Sequence, residues 1–162
     1  MFLVSHALLP VVGYNSALLF CRWKPPIIKN RYTTYVALAV FGLLPDVVNP
    51  HIYLEDRLSS WSHTIWFVVG IGLLMVPFVV KRKIGFSMAM WMVMAAALHI
   101  FCDGISGGVN VLYPYGHTIG VSWVPPDYWI PLDLVVATIA LVTGIEVRRR
   151  FDVFNQSLAG SR

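Results

Sequence analysis

The run Ile84 to Asp103 reads IGFSMAMWMVMAAALHIFCD. It carries no charged residue until its last position, and it is about as long as a helix needs to be to cross a bilayer, roughly 20 residues. His99 and Asp103 stand four apart near its end, so a helical reading puts both side chains on one face, one turn apart. An imidazole and a carboxylate held that way form half of a site for a divalent metal. Ionisable groups in or beside such a segment are costly, and they usually mark function.

The composition around this run agrees with it. Apolar residues make up 57% of the 162-residue chain and charged residues 12%, about half the charged fraction of an ordinary soluble domain. Mean hydropathy is +0.69. The expectation is an all-α integral membrane protein, a bundle of about five transmembrane helices. Five apolar stretches are visible, roughly Phe2 to Phe20, Tyr32 to Val48, Thr64 to Val80, Ile84 to Cys102 and Trp129 to Val147. The first lacks a basic leader and a small-residue cleavage site, so it reads as a retained span. Residues 1–150 form one membrane domain in this reading, and 151–162 a short cytoplasmic tail.

The placement of charge gives an orientation. Arg22, Lys24, Lys29 and Arg31 lie between stretches one and two, Lys81, Arg82 and Lys83 between three and four, and Arg148, Arg149 and Arg150 after five. The other two connections carry one cation, Arg57. The positive-inside rule then puts the N-terminus outside and the C-terminus in the cytoplasm. The basic residues alternate with the spans and form no long tract, so they argue for topology and not for nucleic-acid binding. Cys21 and Cys102 fall at opposite ends of the bilayer, too far apart for a disulfide.

This topology collects the polar residues. His6, Asp46, His63, His99 and Asp103 all fall at the outer ends of their spans, and all five histidines of the chain lie on that side, His51 and His117 included. Buried carboxylates need a compensating charge, and on this side the only Lys or Arg is Arg57. A divalent ion is the simplest partner for Asp46 and Asp103. Two histidines and two carboxylates, with His6 in addition, suit Zn²⁺ or a similar ion. One tetrahedral catalytic site needs fewer ligands, so a second ion is a natural reading.

At these residues the chain resembles the YdjM-like membrane-bound metal-dependent hydrolases of bacterial inner membranes. The resemblance rests on Ser5-His6 with Gly13, Leu44-Pro45-Asp46, Ser62-His63-Thr64, His99-x-x-x-Asp103, Gly107-Gly108-Val109 and Leu112-Tyr113-Pro114-Tyr115. The ordered set is also similar, more distantly, to the metal core of zinc-dependent phospholipases C and related nucleases. That likeness implies one ion held by Asp46, His63, His99 and Asp103, and a second held with the help of His6, with Asp103 bridging. The chain departs from the family pattern in three places. Val48 stands where a second acid is usual, Leu58-Ser59-Ser60 replaces a His-Arg-Gly stretch, and Ser62 replaces a threonine. His51, Glu55 and Asp56 are candidate replacement ligands.

The implied activity is metal-assisted hydrolysis of a phosphoester in a membrane lipid or lipid-linked substrate at the extracytoplasmic face of the inner membrane. Asp46 is the candidate general base as well as a ligand, and Arg57 the candidate phosphate contact. The loop from Gly104 to Tyr128 has no Lys or Arg and is apolar and aromatic. It reads as an interfacial roof suited to a lipid substrate. Two other readings are a non-catalytic protein with a structural metal site and a metal-ion transporter. Clustering of the ionisable residues at one face, with no path across the membrane, speaks against transport.

Overall fold

Five α-helices account for most of the chain in the computed structural model, which describes residues 3–20, 30–50, 58–120 and 123–159. Helix α1 runs Leu3–Phe20, α2 Arg31–Val48, α3 Ile65–Val80, α4 Phe86–Ile105 and α5 Trp129–Ala159. The fold is all-helical, and the described residues contain no strand, only isolated bridge residues such as the pair Val109 and Ile119. The candidates Arg57, His51, Glu55, Asp56 and Cys21 lie outside the described residues.

Local signals explain several helix starts. Asn30 caps α2 by accepting from the Thr33 backbone N–H at 2.9 Å, and the Thr33 hydroxyl answers from the Asn30 N–H at 3.1 Å, a reciprocal capping pair. Thr64 caps α3 through the N–H of Phe67. Pro10, Pro45 and Pro77 sit inside helices, which neighbouring helices make tolerable at membrane depth.

By length and composition, two of these helices qualify to cross a membrane, over Phe86–Ile105 and Pro126–Asp152. Helices α1 and α3 are apolar but shorter than that measure requires. Helix α5 outruns its apolar stretch: the sequence predicts an end at Val147, and the helix continues to Ala159. Arg149 and Arg150 each pair with Glu146 one turn back, at 2.9 and 3.0 Å, so helical structure persists where hydropathy stops.

Helix α4 is central. It packs on α1, α2 and α3, while α5 lies against α1. Small buried residues on α4 (Ala89, Ala95, Ala96) let its neighbours approach closely. Val11, Tyr14, Leu38, Met88 and Met92 form the apolar core, with Tyr14 edge-on to both Tyr35 and Trp91.

The distribution of polarity is inverted relative to a soluble protein. Ser5, His6, Asn15, Thr34, His63, His99 and Asp103 are buried, while Leu73, Leu74, Ile130, Leu134, Leu141 and Ile145 are exposed. Apolar surface on that scale needs an apolar surrounding. Far from the His/Asp cluster, the interior still holds polar side chains. Asn15 is fully buried, accepts from the Tyr35 hydroxyl at 2.8 Å and donates to Thr143 at 3.3 Å. That bonding satisfies a side-chain amide that would otherwise be expensive to bury.

Asp133 of α5 accepts from both the backbone N–H and the hydroxyl of Ser5, at 2.9 and 2.6 Å. A carboxylate near the start of another helix satisfies a backbone donor of the first turn of α1, where no intrahelical acceptor exists. Asp133→Ala is expected to lower stability by about 1–3 kcal/mol, read as a drop in the thermal midpoint in detergent. An unchanged midpoint would mean that this tie does not hold α5 on α1.

Candidate metal centre

Three helices and one turn bring the donors together. His6 is the fourth residue of α1, Asp46 lies near the end of α2, and His99 and Asp103 share one face of α4. His63 closes a 3₁₀ turn, Trp61–His63, just ahead of α3. His6, His63, His99 and Asp103 are almost completely buried. Asp46 is the most open of the group, with its side chain 12% exposed.

One donor atom from each of Asp46, His63, His99 and Asp103 can be chosen so that all four lie within 4.8 Å of one another. The individual separations say more. His63 Nε2 and His99 Nε2 are 3.2 Å apart. His63 Nε2 lies 3.3 Å from Asp46 Oδ1 and 3.1 Å from Asp103 Oδ2. His99 Nε2 lies 3.5 and 3.3 Å from the same two oxygens. A tetrahedral shell with bonds of about 2.0–2.1 Å has donor–donor edges of about 3.3–3.4 Å. Five of the shell's edges are thus present at the right length, so the residues fit a small divalent ion.

The outer contacts aim both rings. His99 Nδ1 lies 2.7 Å from the backbone carbonyl of Gly42. A carbonyl only accepts, so Nδ1 carries the proton and Nε2 faces the carboxylates. His63 Nδ1 meets the hydroxyls of Ser62 and Ser60 at 3.1 and 3.2 Å. Ser60 in turn accepts from Asn49 at 2.8 Å. Sequence reasoning names none of Gly42, Asn49 or Ser60 as part of the site, and it treats Ser62 only as a departure from threonine. The Ser-x-Ser-His spacing is the one local hint of this hydroxyl pair.

Gly42 has a second role. A Cβ there would collide with the backbone carbonyl of His6, so only glycine lets α2 come this close to α1. His6 sits beside the four-donor group. Its ring is tilted by 38° to that of His99 with the centroids 4.0 Å apart, and its Nε2 is 3.7 Å from Asp103 Oδ1. The two oxygens of Asp103 therefore face different histidines.

The loop after α4 is stitched to the same corner. Gly108 N–H reaches the Asp103 carbonyl at 3.1 Å, and Ile65 N–H, just past His63, reaches Val111 at 2.9 Å. Val109 and Ile119 exchange both backbone bonds. The chain can cross itself there because a Cβ on Gly120 would strike Gly108. His117 lies on this loop and is exposed, outside the donor group.

The sequence model of a family described as YdjM inner membrane protein matches residues 1–157. The chain belongs to the YdjM inner membrane protein family. No curated protein and no solved structure matches it. Family membership covers all five helices and every donor above.

In the metal-free protein His63 is pulled both ways. Burial disfavours its imidazolium, hydrogen bonds to Asp103 and Asp46 favour it, and the carboxylates win, raising its pKa above the ordinary histidine value. A raised pKa keeps the proton on His63 until pH exceeds it, and a metal must displace that proton. Affinity for Zn²⁺ is therefore expected to rise with pH from about 6 to about 8, measured by competition with a chromophoric chelator. A flat profile would exclude His63 as a ligand.

Gly42→Ala is expected to lower bound metal about tenfold or more, because it disturbs the Gly42 carbonyl and the His6 turn together. Gly70→Ala is the control, since a Cβ at Gly70 meets nothing within 4 Å. Metal content by plasma mass spectrometry separates the two.

Proposed function

We propose that this protein is a metal-dependent hydrolase of the inner membrane that cleaves a phosphoester of a lipid or lipid-linked substrate at the outer leaflet. The Lys and Arg pattern supports five spans with the N-terminus outside and the C-terminus in the cytoplasm. The observation that carries the reading is the convergence of Asp46, His63, His99 and Asp103 at separations matching a single ion's shell. Zn²⁺ suits this mixed nitrogen and oxygen set.

A divalent ion bound there supplies Lewis acidity, polarising a phosphoryl oxygen and acidifying water. The residues divide the remaining work. His63 and His99 are held by their Nδ1 contacts and serve as fixed donors. Asp103 Oδ2 faces the same point, while Oδ1 faces His6, so His6 and Asp103 are the residues that would help hold a second ion. Asp46, whose side chain is the least buried of the four, is assigned as the general base that takes a proton from water. Arg57, one residue before the described turn at Leu58, is assigned the substrate phosphate on sequence grounds.

Lipid as substrate is supported by the surroundings of the centre. Trp61, Trp66, Tyr115, Trp123 and Tyr128 are all exposed at this end of the bundle, as in an interfacial aromatic belt. A groove of about 680 Å³ between α3, α4 and the loop passes Gly104, the residue after Asp103. Its lining includes Val68, Ile100, Phe101, Val109 and Trp123, an apolar wall suited to an acyl or prenyl chain.

A second reading is a structural ion. Four protein donors can by themselves fill a tetrahedron, and closed shells of that kind are typical of structural zinc. Asp46→Asn separates the two. In the hydrolase it is expected to lower turnover about 10²–10⁴-fold, with part of the bound metal retained. The assay is mass spectrometry of glycerophospholipids and polyprenyl phosphates incubated with metal-loaded protein. No turnover of any of them would favour the structural ion. Wild-type protein prepared without chelators and free of divalent metal would sink both readings, as would unchanged metal content in His99→Ala and Asp103→Ala.

A further inference from the structure

A second groove reaches the opposite end of the bundle. It runs between α2 and α5 across α1, with a volume of about 860 Å³. Leu8, Val36, Ala39, Ala137, Ala140 and Leu141 form its apolar length, and Arg31 and Arg148 lie at one end with Asp152. Arg31 precedes Asp46 by fifteen positions on α2, about 22 Å at 1.5 Å per residue. The charged end of the groove is therefore remote from the metal centre.

The charged end is built asymmetrically. Two guanidiniums face one carboxylate, leaving an excess of one positive charge. Arg148 meets Asp152 at 3.7 Å, and both are well exposed, a weak pair that leaves guanidinium donors available. The guanidinium carbon of Arg31 lies over the Phe151 ring, 4.3 Å from its centre. A cation–π contact of this kind uses no N–H donor, so the guanidinium keeps N–H groups for an anion. Arg149 and Arg150 turn instead to Glu146. In a bilayer, the apolar length of such a groove is filled by hydrocarbon chain, and the charged end selects the head attached to it.

We propose that this groove binds one anionic phospholipid, its phosphate at Arg31 and Arg148 and an acyl chain along α1 between α2 and α5. A zwitterionic head fits less well, because its ammonium would meet two guanidiniums and a single carboxylate. The site rests on the groove and its arginines, and it stands whether or not the metal centre is catalytic.

The test uses the full chain in mild detergent, stripped of lipid and offered phosphatidylglycerol, phosphatidylcholine or glycerol phosphate, with retention read by native mass spectrometry. One phosphatidylglycerol per chain should be retained, in preference to phosphatidylcholine, and the soluble headgroup should not be. Arg148→Gln, at an exposed position that the fold does not need, should weaken retention roughly fivefold, and Arg31→Gln with Arg148→Gln roughly twentyfold. Ala140→Trp, which fills the apolar floor, should also lose the lipid, while Arg149→Gln should behave as wild type. Equal retention of the two lipids would overturn the proposal. So would an equal loss in Arg149→Gln, which indicates diffuse attraction to a basic surface, or full retention by a folded Ala140→Trp. Should that last variant fail to fold, the contrast between Arg148→Gln and Arg149→Gln decides alone.

Discussion

A missing side chain at Gly42 holds the functional end of this bundle together. Its Cα lets α2 approach the backbone of α1 at His6, and its carbonyl takes the Nδ1 proton of His99 from α4. Three helices are thus referenced to one peptide group. Asp46 follows one turn later on the same helix, so its position relative to His99 and His6 is fixed by the same contact. Pro45 adds to this by removing the backbone bond that would have closed on Phe41, which loosens the helix next to Gly42.

The cluster so assembled is electrostatically demanding. Two carboxylates and three imidazoles share a nearly enclosed volume, and the described residues that contact them include no Lys or Arg. Protons on the histidines, or a dication, are the two ways of balancing those carboxylates. The fit of five donor separations to one coordination shell favours the dication. It also gives a reason for an interior as polar as this one beneath an apolar exterior.

Much of this was legible in the sequence, and the rest was not, for one physical reason. Hydropathy located the helices well: the expected Phe2 to Phe20 and Thr64 to Val80 became Leu3–Phe20 and Ile65–Val80. The His99–Asp103 pair was readable because its geometry is internal to one helix. Hydropathy marks where a segment suits a membrane, not where its backbone bonds end, so it missed the extension of α5. The Gly42 carbonyl, the Asn49–Ser60–Ser62 support of His63, the tie from Ser5 to Asp133 and the burial of Asn15 arise between segments far apart in the chain. No local pattern encodes them. Of the five expected spans, α4 and α5 have the length and apolarity to cross a membrane, while α1 and α3 are apolar but short.

The bond from Ser5 to Asp133 joins residues 128 positions apart. It therefore bears on the order in which the molecule is made. Helix α1 is synthesised long before α5, and its first turn, with His6 one residue beyond Ser5, lacks its acceptor until the last helix is in place. The donors on α2, α4 and the turn before α3 are all synthesised before α5. The tie that secures the start of α1 beside His6 is therefore available only once the last helix of the bundle has been made.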